Sequence, residues 1–279
     1  MEKIILAIDA INPDTSALEF ACYVARLTKS KLTGIFLENL VADERPILTK
    51  AYGSAYVDWR IDETDPEYQY KTQLIEKNIS LFKQACESRS VNCVIHRDRN
   101  VPAREIISES RYADLVIVDA ATSFNKRFEG TPTEFVKDIL KDAECPVVIA
   151  PESFDGVDEI VFTYKNSPSC VFAMKQFTYL FPELKDRKTT ILQINDKGVW
   201  ADQDKYNFKE WLQNHYPKLT FEVQQGDADD KLLDFLFKRK NVFIVMGAYG
   251  RSSLSRFFNR SHADRIISTV TQPIFISHH

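Results

Sequence analysis

Two glycines and a serine near the end of the chain have the types and spacing of an anion-binding loop. An apolar run over residues 242–246 leads into Gly247 and Gly250, and a segment rich in serine and arginine continues to Arg260 and Ser261. Such an apolar run predicts a parallel strand covered by helices on both faces. Glycine lets a backbone approach a ligand closely, and a helix start offers free N–H groups to an anion. The segment therefore predicts a phosphate or nucleotide site.

This segment resembles the end of a universal stress protein domain, in which Gly-x-x-Gly is followed after nine residues by Gly and then Ser or Thr. Gly247, Gly250 and Ser261 are in register with that motif, whereas Arg260 stands in place of the third glycine. The resemblance implies that this third position and the hydroxyl after it meet the phosphates of ATP. Arg260 either blocks that approach or binds a phosphate through its guanidinium, and the sequence leaves both alternatives open.

The resemblance occurs twice along the chain, which predicts two tandem domains at residues 1–152 and 156–279. A length of 279 residues exceeds what one core usually supports. Four apolar segments of the first half match four of the second: Lys3–Asp9 with Asp158–Tyr164, Lys31–Glu38 with Lys188–Asn195, Asp114–Asp119 with Val242–Gly247, and Cys145–Ala150 with Gln272–Ser277. Their spacing of roughly 128 to 155 residues is that of duplicated domains and is too long for a solenoid.

Helix-like segments lie between these apolar runs, and four of them start near a proline, at Pro66, Pro102, Pro132 and Pro168. Alternating strands and helices predict an α/β fold with a parallel sheet and right-handed crossovers. The resemblance implies a doubly wound, five-stranded sheet in the order 3-2-1-4-5 for each copy, flanked by helices. It also implies that the two copies pair within the chain as a pseudo-dimer, and their apolar fifth strands are the predicted contact because an open edge strand invites pairing. A homodimer of the whole chain is a further possibility.

The strand order locates the predicted ligand site. Ligands of open α/β sheets bind beyond the carboxyl ends of the strands where the strand order reverses, here between strands one and four of each copy. Copy one has Asp9 at the end of strand one, where the nucleotide-binding branch of the family has an aspartate beside the adenosine. Copy two has Thr163, Tyr164 and Lys165 at the end of its first strand, and the matching of the copies sets Tyr164 against Asp9. Ile194 corresponds to the family's apolar residue beside the adenine.

Copy one carries about 25 additional residues between its second strand and the next helix, at about 41–66. We predict a long loop there, with room for a short helix. A loop of this length is uncommon unless it is functional or mobile, and a surface excursion or dimer contact is the simpler interpretation.

Composition narrows the class of function. The formal net charge is −4, and no basic stripe with interleaved aromatic residues appears, which argues against nucleic acid as a main partner. No apolar stretch is long enough for a membrane span, and no signal-peptide pattern precedes the first strand. The five cysteines are scattered without a Cys-x-x-Cys pair, which is typical of a reducing cytoplasm.

No pair of carboxylates, histidine cluster or nucleophile has a spacing that marks catalysis or metal binding. We therefore expect a cytoplasmic stress-response protein that binds or regulates without being an enzyme, with ATP or another adenine nucleotide at copy two as the candidate ligand. Two alternatives remain at this point: slow nucleotide hydrolysis at the same site, or an interaction scaffold that binds no nucleotide.

Overall fold

A computed structural model describes residues 1–39, 45–51, 54–60, 63–125, 127–247 and 262–277. The first half contains seven strands and four helices: β1 (Lys3–Asp9), α1 (Thr15–Thr28), β2 (Lys31–Leu37), β3 (Arg45–Ala51), β4 (Ser54–Arg60), α2 (Pro66–Ser88), β5 (Cys93–Asp98), α3 (Pro102–Ser110), β6 (Leu115–Val118), α4 (Glu134–Asp142) and β7 (Val147–Ile149). The second half contains β8 (Glu159–Tyr164), α5 (Pro168–Leu180), a short 3-10 turn (Pro182–Leu184), β9 (Lys188–Asn195), α6 (Asp202–Leu212), β10 (Leu219–Gln225), α7 (Ala228–Phe237), β11 (Val242–Gly247), α8 (His262–Thr269) and β12 (Ile274–Ser277).

Ten of these strands form one sheet in the order β10-β9-β8-β11-β12-β7-β6-β1-β2-β5. Each half contributes five neighbouring strands, and the strands within each half are parallel. When the hairpin β3–β4 is set aside, each half has the order 3-2-1-4-5. The predicted fold class of two tandem, doubly wound α/β domains is confirmed.

The two halves meet at their fifth strands, where β7 and β12 pair antiparallel. Val148 lies opposite Phe275, and the pairs Val147–Ile276 and Ile149–Ile274 flank it. Val148 and Phe275 are also the equivalent residues of the two copies, so this central pair marks the position of an approximate twofold relation. The expected contact between the fifth strands is present, and it joins two five-stranded sheets into one.

Helices cover both faces of the sheet, which explains the apolar strands. Ile4, Leu6 and Ile8 of β1 belong to a core cluster with α1 and α2, whereas Ile5 and Ala7 belong to the opposite cluster with α3 and α4. The second half repeats this arrangement. Residues of β8 alternate between a cluster that includes α5 and α6 and a cluster that includes α7 and α8.

The connection after β2 contains an antiparallel hairpin, which corrects the predicted loop. β3 and β4 pair with each other from Arg45–Arg60 to Ala51–Ser54 and form a separate two-stranded sheet. The sequence signal for this was the series of β-branched and aromatic residues, among them Ile47, Tyr56 and Val57, because such residues favour extended backbone.

Local capping chemistry sets several helix starts. α3 and α5 begin at Pro102 and Pro168, as predicted. α4 begins two residues after Pro132, because the hydroxyl of Thr133 accepts from the N–H of Val136 and makes Thr133 the N-cap. None of the helices in the described part of the chain is long and apolar enough to span a bilayer.

Candidate functional site

The carboxyl ends of β1 and β6 form the site expected in the first half, and polar side chains there bind their own loops. The Asp9 carboxylate accepts hydrogen bonds from the N–H groups of Ile11 at 2.8 Å and Asn12 at 3.1 Å. The buried Asn78 amide on α2 donates to the carbonyls of Ala10 at 2.9 Å and Ile11 at 3.0 Å. Asp9 therefore holds the loop after β1 in shape.

The loop after β6 is closed in a similar way. The Asp119 carboxylate accepts from the N–H of Ala121 at 3.1 Å and from the hydroxyl of Thr122 at 3.3 Å. Burial raises the pKa of Asp119, and the negative charge of Asp14 adds to the rise. Thr133 at the start of α4 donates from its hydroxyl to the carbonyl of Thr122. The carboxylates of Asp9 and Asp119 thus lie at the carboxyl ends of β1 and β6, and their negative charge disfavours binding of a polyphosphate there.

Strand register in the second half corrects the matching of Asp9 with Tyr164. Ile4 of β1 is paired with Leu115 of β6, and Ile160 of β8 is paired with Phe243 of β11. Leu115 and Phe243 are equivalent, so Ile4 corresponds to Ile160. Counting along both strands, Ile8 corresponds to Tyr164 and Asp9 corresponds to Lys165.

The faces of the strands confirm this register. Ile8 and Tyr164 both point to the side of the first helix of their half, since both lie in the core cluster that contains α1 and α5. A one-residue slip would turn every side chain of the strand to the other face. The alternation of Ile160, Phe162 and Tyr164 is compatible with this register but does not select it in the sequence. Matching by similarity therefore gave the place of Asp9 to Tyr164, whereas strand pairing gives it to the adjacent Lys165.

Lys165 of the second half is positively charged, whereas the corresponding Asp9 of the first half is negatively charged. It lies directly after β8 and is exposed, and the described residues provide no ion pair for it. β8 is hydrogen-bonded to β11, whose last residue is Gly247. Where the first half has Asp9 and Asp119, the second half therefore has a lysine and a glycine.

Tyr164 fills the space on the other face of the strand. It is 5% exposed, and its ring is stacked on Trp200 with centroids 5.7 Å apart and meets Phe208 edge-on. Its hydroxyl donates to the Asn166 amide oxygen at 3.0 Å. Burial raises the pKa of Tyr164 to about 12, and the negative charge of Asp204 contributes to the rise. Tyr164 is a core residue of the second half.

Gly247 contacts the start of α5. A Cβ atom at this position would lie 2.5 Å from both the backbone nitrogen of Cys170 and the carbonyl carbon of Ser169. The helix comes this close because residues 165–167 alone connect β8 to α5, whereas residues 10–14 connect β1 to α1. The absence of a side chain at Gly247 is therefore required by the packing of the protein itself.

Thr163 and Ile194, the remaining described candidates, lie near the carboxyl ends of β8 and β9. The hydroxyl of Thr163 donates to the carbonyl of Val245 at 3.1 Å. Ile194 is partly buried and packs on the cluster that contains α7 and α8. The structure thus groups Thr163, Ile194 and Gly247 at one end of one half, and it places Asp9 in the other half.

Gly250, Arg260 and Ser261 lie outside the described residues, so their predicted roles stay predictions. α8 begins at His262, directly after Ser261. No group of three or more histidine, cysteine or acidic residues suited to a metal ion occurs within the described ranges.

Comparisons with known proteins agree with this fold. The universal stress protein family model matches residues 178–278. A universal stress protein from Archaeoglobus fulgidus has a TM-score of 0.71 at 15% identity, covering 99% of this chain and 98% of that chain. No curated protein has significant similarity to the chain.

Two structures from Pseudomonas aeruginosa are also similar over nearly the whole chain. A putative universal stress protein has a TM-score of 0.61 at 14% identity, covering 100% of this chain and 93% of that chain. A protein of unknown function has a TM-score of 0.58 at 15% identity, covering 99% of this chain and 92% of that chain. At these identities the similarity shows the fold, and together with the family match it confirms the resemblance predicted from the sequence.

Proposed function

Because the second half of the chain matches the universal stress protein family and the whole chain has the tandem fold, we propose that this protein is a non-catalytic, nucleotide-binding protein of the stress response. The candidate ligand is ATP or another adenine nucleotide at the second half. Lys165 carries this proposal: an exposed cation, with no ion pair among the described residues, lies at the strand end where the first half has Asp9.

The surroundings of Lys165 favour an anion. α5 begins three residues later, and the N-terminus of a helix carries a partial positive charge. In the sequence, Gly250 and Ser261 follow as parts of the phosphate motif, with Arg260 before the serine. Lysine attracts phosphate as a point charge, so a phosphate bound between Lys165 and the start of this motif is the arrangement we propose.

The adenine side of the proposed site lies at the ends of β8 and β9. Ile194 provides a partly buried apolar surface there, on the face of the sheet that α7 and α8 cover. Thr163 lies on the neighbouring strand, with its hydroxyl turned to the Val245 carbonyl. The first half is the weaker candidate because Asp9 and Asp119 bring negative charge to the corresponding position.

An interaction scaffold without nucleotide is the second candidate, and Arg260 is the residue that favours it. A glycine at this place in the family motif permits close approach of a phosphate, and arginine adds a large side chain there. Slow hydrolysis is the third candidate. Under our proposal, purified protein with ATP and magnesium releases no phosphate above the rate of a heat-inactivated sample.

Calorimetric titration with ATP, ADP and AMP, with and without magnesium, tests the main proposal. We expect saturable binding by the parent protein and a threefold to tenfold weaker affinity for Lys165→Glu, roughly the effect of reversing one exposed charge. Lys238→Glu, at an exposed position after α7, is the matched control and should leave the affinity unchanged.

Asp9→Ala tests which half of the chain holds the nucleotide site. If it removes binding while Lys165→Glu has no effect, the nucleotide site belongs to the first half and the assignment is reversed. If the parent protein binds none of the three nucleotides, the scaffold is the better description.

Arg260→Gly decides the role of the residue that breaks the motif. If Arg260 blocks the site, the substitution should create ATP binding or tighten it about tenfold, which corresponds to about 1.4 kcal/mol. If the parent binds and the variant binds more weakly, Arg260 is a phosphate ligand. Introduced into whichever of the two proteins binds ATP, Gly250→Val adds a β-branched side chain to the motif and should abolish binding.

A further inference from the structure

A cavity of about 390 Å³ lies between α5 and α6 in the second half. Aromatic rings form much of its wall, with one aliphatic side chain and one charged group of each sign: Tyr164, Phe208, Trp211, Val171, Lys175 and Asp204. Tyr164 and Phe208 are buried, whereas Trp211 is partly exposed. Cavities of this size and character hold small organic ligands.

The cavity is open because α6 is short. In the first half, the corresponding α2 has 23 residues and packs against α1. α6 has 11 residues, and it makes fewer close contacts with α5 than α2 makes with α1. The space that helix packing fills in the first half therefore remains free between Val171 of α5 and Trp211 of α6.

The two charged groups of the wall differ in their surroundings. Asp204 is partly buried, and its negative charge contributes to the raised pKa of Tyr164. Lys175 is exposed at the rim of the cavity, and it has no ion pair with a described residue. A ligand would meet aromatic walls inside and the ammonium group of Lys175 at the rim.

We propose that this cavity is a binding site for a planar aromatic molecule that carries a carboxylate. The ring would lie against Phe208 and Trp211, since aromatic rings pack favourably edge-on or offset. The carboxylate would meet the ammonium group of Lys175. A neutral aromatic ligand would contact the same rings without the ion pair. The proposal therefore predicts that a change at Lys175 weakens binding of the charged ligand alone.

This site is separate from the proposed nucleotide site. Phe208 belongs to the core cluster on the α5 and α6 face of the sheet, whereas Ile194 packs on the opposite cluster with α7 and α8. The failure of nucleotide binding would therefore leave this proposal standing, and the reverse also holds.

Calorimetric titration of the full chain with naphthoate and naphthamide tests the proposal. Both probes contain the same ring system, and only naphthoate carries the negative charge. We expect saturable binding of both, with naphthoate tighter. Lys175→Gln should weaken naphthoate binding about twofold to fivefold, the range of an exposed ion pair, and should leave naphthamide binding unchanged.

Two further variants complete the experiment. Lys209→Gln changes an exposed lysine of α6 that does not line the cavity, and it should alter neither affinity. Val171→Phe adds a ring to the wall and should abolish binding of both probes, with circular dichroism confirming that the variant is folded. The proposal is overturned if the parent shows no saturable binding, if Lys175→Gln weakens both probes equally, or if folded Val171→Phe binds like the parent.

Discussion

At the scale of single residues, Gly247 shows how one amino acid can satisfy two different requirements. In the sequence it is the first glycine of a phosphate motif. In the structure, the backbone that approaches it belongs to Ser169 and Cys170 at the start of α5. The packing requirement holds whether or not a nucleotide binds, so loss of function in a Gly247 variant would not by itself identify a ligand site.

Gly247→Ala should therefore destabilise the protein in the absence of any ligand. The added methyl group would lie 2.5 Å from backbone atoms of α5, which cannot move away as a flexible side chain can. We expect a loss of about 1–3 kcal/mol in the free energy of unfolding, the usual cost of overpacking. Urea unfolding measures this loss.

Gly130→Ala is the matched control for that experiment, because a Cβ there would have no atom within 4 Å. It should leave the free energy of unfolding nearly unchanged. Equal stability of the two alanine variants would show that α5 does not approach β11 as closely as described.

At the scale of secondary-structure elements, the two halves differ in the segment between their second and third sheet strands. After β2 the chain forms the hairpin β3–β4 and then the 23-residue α2. After β9 it reaches the 11-residue α6 within six residues. The second half forms the same five-stranded arrangement without a hairpin, so the hairpin is an addition to the fold.

Replacement of residues 42–62 by a short glycine–serine linker should therefore preserve the ten-stranded sheet. β3 and β4 pair with each other and with none of the ten strands. We expect a thermal unfolding midpoint within a few degrees of the parent and an unchanged α/β circular dichroism spectrum. An insoluble or molten variant would show that the hairpin stabilises the body of the protein.

At the scale of the whole molecule, a pair of equivalent residues has acquired opposite charges. Lys137 on α4 and Asp264 on α8 each lie eight residues before the matched Cys145 and Gln272. The Lys137 ammonium and the Asp264 carboxylate are 4.0 Å apart across the two halves. Near a twofold axis, equivalent residues face each other, and identical charges would repel. Lysine and aspartate at these positions favour pairing of one half with the other.

The Asp264 carboxyl makes this contact dependent on pH. Burial raises the pKa of Asp264, and the charge of Lys137 partly opposes that rise. Because the pKa is raised on folding, stability falls as pH rises from the ordinary aspartate range through the folded-state value. The attraction to Lys137 exists only above that value, where Asp264 is ionised.

Lys137→Met should therefore lower the free energy of unfolding at pH 7 by up to about 1 kcal/mol and have little effect at a pH where Asp264 is protonated. In an Asp264→Asn background the same substitution should cost nothing beyond the exposed contact with Glu134. Lys141→Met, at an exposed position of the same helix, is the control. A cost at pH 7 that is equally large in the Asp264→Asn background would exclude a charge interaction between the two halves.

The sequence by itself determined the fold class and the repeat. Apolar runs alternate with helical segments along the chain. This pattern predicts strands and helices, because strands that are covered on both faces by helices are apolar throughout. The matched segments predicted two copies, and the apolar fifth strands predicted the contact that β7 and β12 make. The motif around Gly247 also carried the resemblance to the universal stress protein family, whose model matches residues 178–278.

Three features were decided only by the tertiary structure. They are the register of β8 relative to β1, the contacts around Gly247, and the hairpin β3–β4 in the first half. Matching by similarity set Tyr164 against Asp9, and only strand pairing placed Lys165 there, since a shift of one residue is small in sequence yet reverses the faces of a strand. The contact of α5 with Gly247 depends on a short connection whose path the sequence does not state. Folding brings together residues that are distant in sequence. It places Lys165 beside the strand that ends at Gly247, packs α5 against Gly247, and brings Lys137 to Asp264.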